Sequence, residues 1–398
     1  MPRPMIPLAV SAYTVTSALG RGLADHRQAL EAARGGLRPN DFGDAPLACW
    51  IGRVDGVEDA PLPDTLAEWE CRNNRLAWLG LQQDGFLGRA QAAIARYGAA
   101  RVALVLGTST ASIGATEEGY RRLDDGRMPA GLARPGLHMP HSLTAFVADA
   151  LGLQGPALTV STACSSSAKV FASAERLIRL GVADAALVGG VDTLCGSVLF
   201  GFNSLELVSP ERCRPFDRAR RGLSLGEAAG FALLERTGAA PASPRLLGYG
   251  EASDAHHMST PHPEGLGAEL ALRDALARAS LDAAQVDYIN LHGTASQKND
   301  EVEAALIGRI FPAGTRASST KGYTGHTLGA AGIVEAAFAL LALEHGFVPG
   351  NLGGDEPDPA CGPQFAWSGE RRDVRIALSN SFGFGGNNAC LAFGKAAA

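Results

Sequence analysis

Three side chains in this 398-residue sequence could do covalent chemistry together: Cys164, His292 and His326. Cys164 lies in "ALTVSTACSSSAKVFASAERL", residues 157–177, where an apolar, β-branched run ends in small residues and a helical pattern begins directly behind it. Val170, Ala174, Leu177 and Ile178 fall largely on one side of that helix, with Lys169, Glu175, Arg176 and Arg179 partly on the other. The thiol therefore stands just ahead of a first helical turn. Free N–H groups and the positive end of the dipole favour a thiolate there, and the same N–H groups can hold an oxyanion. Position alone supports a nucleophile and a small packing residue equally.

His292 follows an apolar strand in "NLHGTASQKND", with Gly293 allowing close backbone approach and Asp300 further along. His326 sits in "SSTKGYTGHTLGAAGIVEA", with Lys321 before it and the small run Gly329-Ala330-Ala331-Gly332 opening a helix that carries Glu335. A single histidine at a strand end is ordinarily a hydrogen-bonded structural residue. Two, each beside glycine and each at a matching end, read differently. A thiol with two imidazoles can form a thioester and stabilise a developing enolate oxygen, which is what carbon–carbon bond formation between thioesters needs. A fourth stretch, "ALSNSFGFGGNNACLAF" at residues 377–393, interleaves Phe382 and Phe384 with Gly383, Gly385 and Gly386. It reads either as a loop bearing an aromatic gate or as a tight hairpin with two core phenylalanines, and the glycines alone favour the hairpin.

These residues need strand ends to hold them. Short Val/Ile/Leu/Ala runs alternate with Ala-rich helical patterns, the signature of buried strands joined through helices, so the chain is α/β. The segment "RTGAAPASP", residues 236–244, reads as a linker and divides the chain into an N-terminal half, 1–240, with the cysteine, and a C-terminal half, 241–398, with both histidines and the Gly-Phe loop. The halves look related. "VALVLGTSTASIGATEEGYRRL" (102–123) and "VDYINLHGTASQKNDEVEAALI" (286–307) share a strand, a Gly-Thr turn and an acidic helix start, and the Cys164 segment pairs more weakly with the His326 segment. A duplication would gather both sets of strand ends in one cleft.

The composition is globular, 46% hydrophobic and 19% charged, and the net charge of −6 gives no global reason to bind nucleic acid or an anionic membrane. The seven cysteines, at 49, 71, 164, 195, 213, 361 and 390, form no CxxC pair and no zinc-type cluster, which fits reduced thiols in a reducing compartment. No signal-peptide layout is evident and no segment approaches the roughly 20 continuous apolar residues of a bilayer span. A soluble, cytoplasmic protein without membrane insertion is expected.

Taken together, "TACSSS", "HGTASQKND", "KGYTGHTLGAAG" and "NSFGFGGNNA", in this order and with these gaps, closely resemble the β-ketoacyl-acyl-carrier-protein synthases, the elongating condensing enzymes of fatty acid and polyketide synthesis. The resemblance runs over nearly the whole chain. It implies the thiolase fold, two similar halves in a five-layer αβαβα arrangement, usually as an obligate dimer. By the same resemblance Cys164 accepts the acyl chain, while His292 and His326 bind the malonyl thioester carbonyl and promote loss of carbon dioxide. The N–H groups of Cys164 and Phe384 match the oxyanion hole, and Phe384 the gating phenylalanine. Lys321 and Glu335 match a support pair, with Lys321 tuning the His326 side, and Asp300 is a further support residue. Thr294 and Ser296 match pantetheine-tunnel positions, and Thr110 falls in the acyl pocket. No cofactor or metal is implied, since substrates arrive on the phosphopantetheine arm of an acyl carrier protein; "DAHHMSTPHP", residues 254–263, matches a tunnel-entrance loop rather than a metal site.

The carrier protein is acidic, so basic docking residues are expected. "ERCRPFDRARRG", residues 211–222, offers Arg214 and, on a matching docking position, Arg220; Arg72 and Arg75 in "ECRNNRLAW" are further candidates, and a solvated charged loop is the alternative for each. Cys, His and His separate this chain from degradative thiolases, which use a second cysteine, and from initiating synthases, which use His with Asn. Asn387 stands where Thr is commoner, and Thr110 where ordinary fatty acid enzymes carry Ile or Gly. With the "SALG" opening and the "GTST" turn, these departures point towards a specialised pathway such as aryl polyene synthesis. The rival readings are a coenzyme A-dependent thiolase or acyltransferase and a non-catalytic partner subunit of a heterodimer, of the chain-length-factor kind. The partner in the dimer is either a second copy or such a related subunit.

Overall fold

The computed structural model describes residues 4–44 and 46–396, so the outermost residues of the two expected halves, 1–3 and 397–398, lie outside the described residues. Ten strands make the continuous path of an eleven-stranded hydrogen-bonded array, the eleventh being the short Gly20–Arg21 strand paired to the first: β1 (Leu8–Ser17), β2 (Val102–Gly107), β3 (Ala157–Val160), β4 (Ala185–Asp192), β5 (Ala228–Arg236), β6 (Arg245–Ser253), β7 (Tyr288–Asn290), β8 (Arg316–Ser318), β9 (Ile376–Gly383) and β10 (Asn387–Gly394). Their order is β8-β7-β9-β10-β6-β1-β5-β4-β2-β3. The first five strands and the last five follow the same internal order, third, second, fourth, fifth, first. In both sets the fifth strand runs antiparallel to its neighbours while the second, third and fourth are parallel. The weak internal repeat in the sequence is thus a duplicated architecture, and a short antiparallel pairing of Leu8 with Leu246 and Ala9 with Arg245 joins the two sheets.

The helices are α1 (Leu23–Glu31), α2 (Arg72–Leu81), α3 (Phe86–Tyr97), α4 (Ile113–Arg121), α5 (Ser142–Leu151), α6 (Ser166–Arg179), α7 (Gly196–Ser204), α8 (Leu266–Ala279), α9 (Gln297–Ile310), α10 (Lys321–Thr324) and α11 (Ala331–His345). On β2, side chains alternate between two cores, as strand geometry requires. Leu104 and Leu106 join Leu76 of α2, Phe86 of α3 and Phe146 of α5 in an outer layer. Ala103 and Val105 turn the other way, to Phe171 of α6 and Ile333 and Phe338 of α11. On the far side Leu272 of α8 and Ile307 of α9 cover Ile289 and Leu378 of the second sheet. The layers therefore read helix, sheet, helix, sheet, helix, the five-layer thiolase arrangement.

The middle layer decides the sequence of α11. Buried on all sides, it has no polar stripe, so Leu328–His345 has a mean hydropathy of 1.5 and is apolar and long enough to cross a membrane. Glu335 and Glu344 interrupt the window, so the expectation of no run of about 20 continuous apolar residues stands, and 89% of the window is buried inside the protein. α6 and α11 cross closely: a Cβ on Gly332 would stand 2.4 Å from the Ala168 nitrogen. Ser167 Oγ accepts the Ile333 N–H at 2.9 Å across the same contact. The helix behind the cysteine and the helix behind His326 are thereby fixed against each other.

Candidate active site

Cys164 is reached through a tight turn after β3. Ala163 takes φ 52°, the left-handed region that side-chain-bearing residues rarely adopt, and α6 starts two residues after the cysteine. Hydroxyls hold this turn. Ser166 Oγ donates to the Ala163 carbonyl at 2.6 Å and accepts the Thr162 N–H at 2.9 Å, Ser165 Oγ donates to the Thr162 carbonyl at 2.9 Å, and Ser109 Oγ donates to the Ala163 carbonyl at 3.1 Å. The serines after the cysteine are therefore backbone fasteners, and Cys164 itself is buried. Burial pushes its thiol up to about 12, against the Lys321 charge and the Phe384 N–H directed at the sulfur. The expectation that the helix start favours a thiolate is outweighed in the free protein by desolvation.

Both histidines come from the other half. His326 Nε2 lies 3.0 Å from Cys164 Sγ, and its Nδ1 accepts the Leu328 N–H at 3.2 Å. Its backbone is clamped by the first half, since its N–H donates to Ser224 O at 2.7 Å and its carbonyl accepts the Gly226 N–H at 2.9 Å. His292 has its Nδ1 3.3 Å from Lys321 Nζ, and its ring stands 5.5 Å from that of His326 at 86°. With each Nδ1 facing a donor, the hydrogen-bond pattern assigns the ring proton of each histidine to Nε2. Burial first, then the Lys321 charge, holds both imidazoles well below the usual histidine value, so they are neutral donors.

Lys321 is buried and paired with Glu335, and its Nζ also donates to the His292 carbonyl. Its direct contacts are thus on the His292 side, because the parallel pairing of β7 and β8 sets their ends side by side, while its charge reaches His326 as well. Burial draws the Glu335 carboxyl up to about 7, against the pull of Lys321. Asp300, expected as support, touches none of the three central groups: it accepts the Phe216 N–H at 2.8 Å. Two residues escaped the sequence reading. Glu303 accepts the N–H groups of His292 and Gly293 at 2.9 and 2.7 Å, fixing the histidine's backbone. Asp192, at the end of β4, accepts from the N–H groups of Ser109 and Thr110 and both threonine hydroxyls of that turn. Glu303 had a signal, because it and Asp300 share a helix face with the apolar Ala304 and Ile307 of α9.

A cavity of about 470 Å³ opens onto these groups, lined by Cys164, His292 and His326 at its floor and by Thr294, Ser296 and Phe384 on its walls. Thr294 and Ser296 hydroxyls bond each other at 2.8 Å. Phe384 stacks on Phe202, with ring centroids 5.6 Å apart, and Gly385, at φ 76°, donates its N–H to Met258 O at 2.6 Å. The Gly-Phe segment is thus both a hairpin between β9 and β10 and a wall of the cavity. Thr110 is buried and spends its hydroxyl on Asp192 at 2.6 Å, while its neighbours Ala111 and Ser112 border a second cavity of about 580 Å³.

The docking arginines need correction. Arg220 is 4% exposed and lies between Asp300, at 3.7 Å, and Asp358, at 2.5 Å, because a buried guanidinium must be matched by carboxylates. It is no surface cation. Arg72 is paired with Glu227 and Glu58, Arg75 with Glu70 and Arg214 with Glu211, each partly exposed. Arg212, Arg218 and Arg221 are the exposed cations of that stretch, and Arg221 borders the cavity.

Residues 74–240 match the family described as the β-ketoacyl synthase N-terminal domain, and residues 245–355 match its C-terminal domain. Nodulation protein E of Rhizobium meliloti (strain 1021) is 38% identical over 74% of this chain and 76% of its own length. The mitochondrial 3-oxoacyl-[acyl-carrier-protein] synthase of Arabidopsis thaliana is 40% identical over 61% of this chain and 57% of its own. Among solved structures, the ketosynthase in complex with its chain length factor from Xenorhabdus doucetiae superposes with a TM-score of 0.90 at 39% identity, covering 98% of both chains.

Proposed function

The chain belongs to the β-ketoacyl synthase family, and on that premise we propose how its residues divide the work and what it works on. It is a condensing acyltransferase that joins a malonyl unit to an acyl chain, both delivered by acyl carrier protein. The observation that carries the division of labour is Cys164 Sγ at 3.0 Å from a neutral, Nε2-protonated His326, with His292 beside it. In the first step the Cys164 sulfur attacks the acyl thioester carbonyl. The N–H groups of Cys164 and Phe384 hold the oxyanion, the carrier's C–S bond breaks, and the thiol proton leaves with the carrier sulfur. In the second, the two Nε2–H groups bind the malonyl thioester oxygen. The bond to the carboxylate breaks, carbon dioxide departs, and the electron pair becomes an enolate whose charge both donors stabilise. The enolate carbon then attacks the acyl-Cys164 carbonyl, and collapse breaks the C–S bond and expels the Cys164 thiolate, which takes a proton from solvent water.

The ligand atoms of Cys164, His292 and His326 lie within 4.8 Å of one another, a spacing that a metal could use. Two Nε2–H groups and a nearby ammonium make the site a donor for anions instead, which supports a reaction without metal or cofactor. The intact nucleophile and both histidines support an active subunit over a non-catalytic partner. β3 is the outer strand of its half, and Leu158 on it is 42% exposed, which supports dimerisation through that edge with a second copy or with a related chain-length-factor-like subunit. Free thiols at all seven cysteines support a cytoplasmic location. We read the pathway as a specialised one, of the aryl polyene kind, from the Thr110 and Asn387 departures.

The test is the mass of the acyl group trapped on Cys164 after incubation with saturated and with conjugated or aryl acyl carrier proteins, together with carbon dioxide release from malonyl carrier protein. Preferential loading of conjugated or aryl chains with carbon dioxide release supports the reading. Equal or better loading of saturated chains sinks the specialised pathway, and no carbon dioxide release would point to a coenzyme A-type thiolase.

A further inference from the structure

Lys169 is a half-buried ammonium that the chemistry above does not use. It lies on α6, five residues beyond the nucleophile, and burial holds its pKa below the usual lysine value. Among the described residues its side chain has one polar partner, and that partner is no carboxylate: Nζ donates to Asn387 Oδ1 at 3.4 Å. An ammonium can only donate, so the amide must turn its oxygen to Lys169 and its NH₂ elsewhere. Asn387 Nδ2 donates to the Phe384 carbonyl at 3.1 Å. The residue at the end of this chain of contacts is the one whose own N–H points at the Cys164 sulfur.

The loop needs such a tie. Gly385 and Gly386 both take positive φ, 76° and 72°, so the backbone just after Phe384 has the freedom of two adjacent glycines. Gly383, just before it, packs so closely that a Cβ there would stand 2.7 Å from Thr162 O and 3.2 Å from Cys164 N. One side of Phe384 is thus held by close packing against the nucleophile turn. The other side is held by the Asn387 amide and by the Gly385 bond to Met258.

We propose that Lys169 is a positioning residue for the oxyanion hole: through Asn387 it holds the Phe384 carbonyl, and with it the backbone at Phe384, so that the Phe384 N–H on the preceding peptide unit meets the oxyanion formed on acyl transfer to Cys164. This rests on the reading of Cys164 as acyl acceptor. Because Lys169 and Cys164 belong to one helix and its approach turn, the tie sets the loop relative to the nucleophile itself.

The experiment compares the wild type with Lys169→Met, Asn387→Ala, the double variant and Lys169→Arg. Two rates are measured for each: acylation of Cys164 by octanoyl-N-acetylcysteamine, which builds an oxyanion and needs no docking, and alkylation of Cys164 by iodoacetamide, which builds none. Each single variant is expected to acylate about tenfold more slowly, short of the 10²–10³ lost when an oxyanion donor is removed outright. Alkylation should stay within about threefold, the double variant should be no worse than either single one, and Lys169→Arg should restore most of the rate. Wild-type acylation with unchanged single variants overturns the proposal. Additive losses overturn it too, as does a parallel fall of both rates, which marks general distortion of the site. Failure of the wild type to acylate at Cys164 overturns the underlying reading instead.

Discussion

His326 Nε2 stands 3.0 Å from Cys164 Sγ while its Nδ1 accepts the Leu328 N–H, so the imidazole is locked in the tautomer that gives a proton to the site rather than taking one. The thiol and the imidazole pair therefore form separable devices. Cys164→Ala should abolish acyl transfer yet leave decarboxylation of malonyl carrier protein detectable, because both donors to the malonyl oxygen survive. His326→Ala should lower decarboxylation by about 10²–10³, the cost of one oxyanion donor. Carbon dioxide release and acyl-enzyme mass, measured on the same samples, check both.

Lys321 touches His292 and not His326, which makes its effect lopsided. Lys321→Met should slow decarboxylation about tenfold while Cys164 acylation changes less, since the Nδ1 contact that orients His292 is lost. It should also destabilise the protein by about 3–5 kcal/mol, as Glu335 is left buried without its partner. Denaturant unfolding of the variant beside the two half-reaction rates tests this; an equal loss in both half-reactions would contradict the geometry.

Arg220 and Arg221 are adjacent in sequence and opposite in consequence. Arg220→Ala strands Asp300 and Asp358 and should cost about 3–5 kcal/mol of stability, visible as a lower unfolding midpoint. Arg221→Glu, on an exposed side chain, should leave stability within about 0.5 kcal/mol and raise the KM for carrier protein in a salt-dependent way. A carrier-protein KM that moves with Arg220→Ala in a fully stable protein would restore it as a docking residue.

His26, on α1, is wholly buried, with Nε2 2.8 Å from Ser17 Oγ and Nδ1 2.7 Å from Gly22 O, and desolvation lowers its pKa to about 4. The unfolded chain takes up a proton near pH 6.5, which the folded chain refuses until about pH 4. Its contribution is thus fully present above pH 6.5 and is lost as pH falls from there towards 4, amounting to about 3 kcal/mol across that window. Urea unfolding at pH 7 and pH 4.5 should show His26→Gln losing less stability on acidification than the wild type.

What the sequence made legible was whatever local pattern controls. Cys164, His292 and His326 could be picked out because strand ends, glycines and helix starts announce themselves over a few residues. That the two halves are related showed in the same segments, while the order of their strands did not. The partners of buried charges could not be read so. Whether Arg220 faces solvent depends on Asp358, 138 residues away, and Lys321 joins His292 only because β8 pairs in parallel with β7 and brings the two strand ends side by side. Glu303 was half-visible, an acid in phase with the apolar face of α9, and its meaning appears only when β7 delivers His292 beneath it. Thr110 was placed by resemblance in an acyl pocket, but that its hydroxyl is held by Asp192, far along the chain, no local pattern showed.

The seam between α6 and α11 tolerates no side chain at Gly332. Gly332→Ala should push the two helices apart and cost about 1–3 kcal/mol, with activity falling further than stability because Cys164 and His326 ride on opposite sides of the displaced contact. Thermal unfolding and turnover of the variant, compared at a temperature where it is fully folded, separate the two effects.

That seam also means that no fragment of this chain owns a catalyst. A first half produced alone would carry a sulfur with no imidazole, and a second half two imidazoles with no sulfur. Enzymatic turnover is then an assay of whether the two copies of an ancient unit have found each other, and mixing separately made halves would turn the recovery of activity into a clock for their docking.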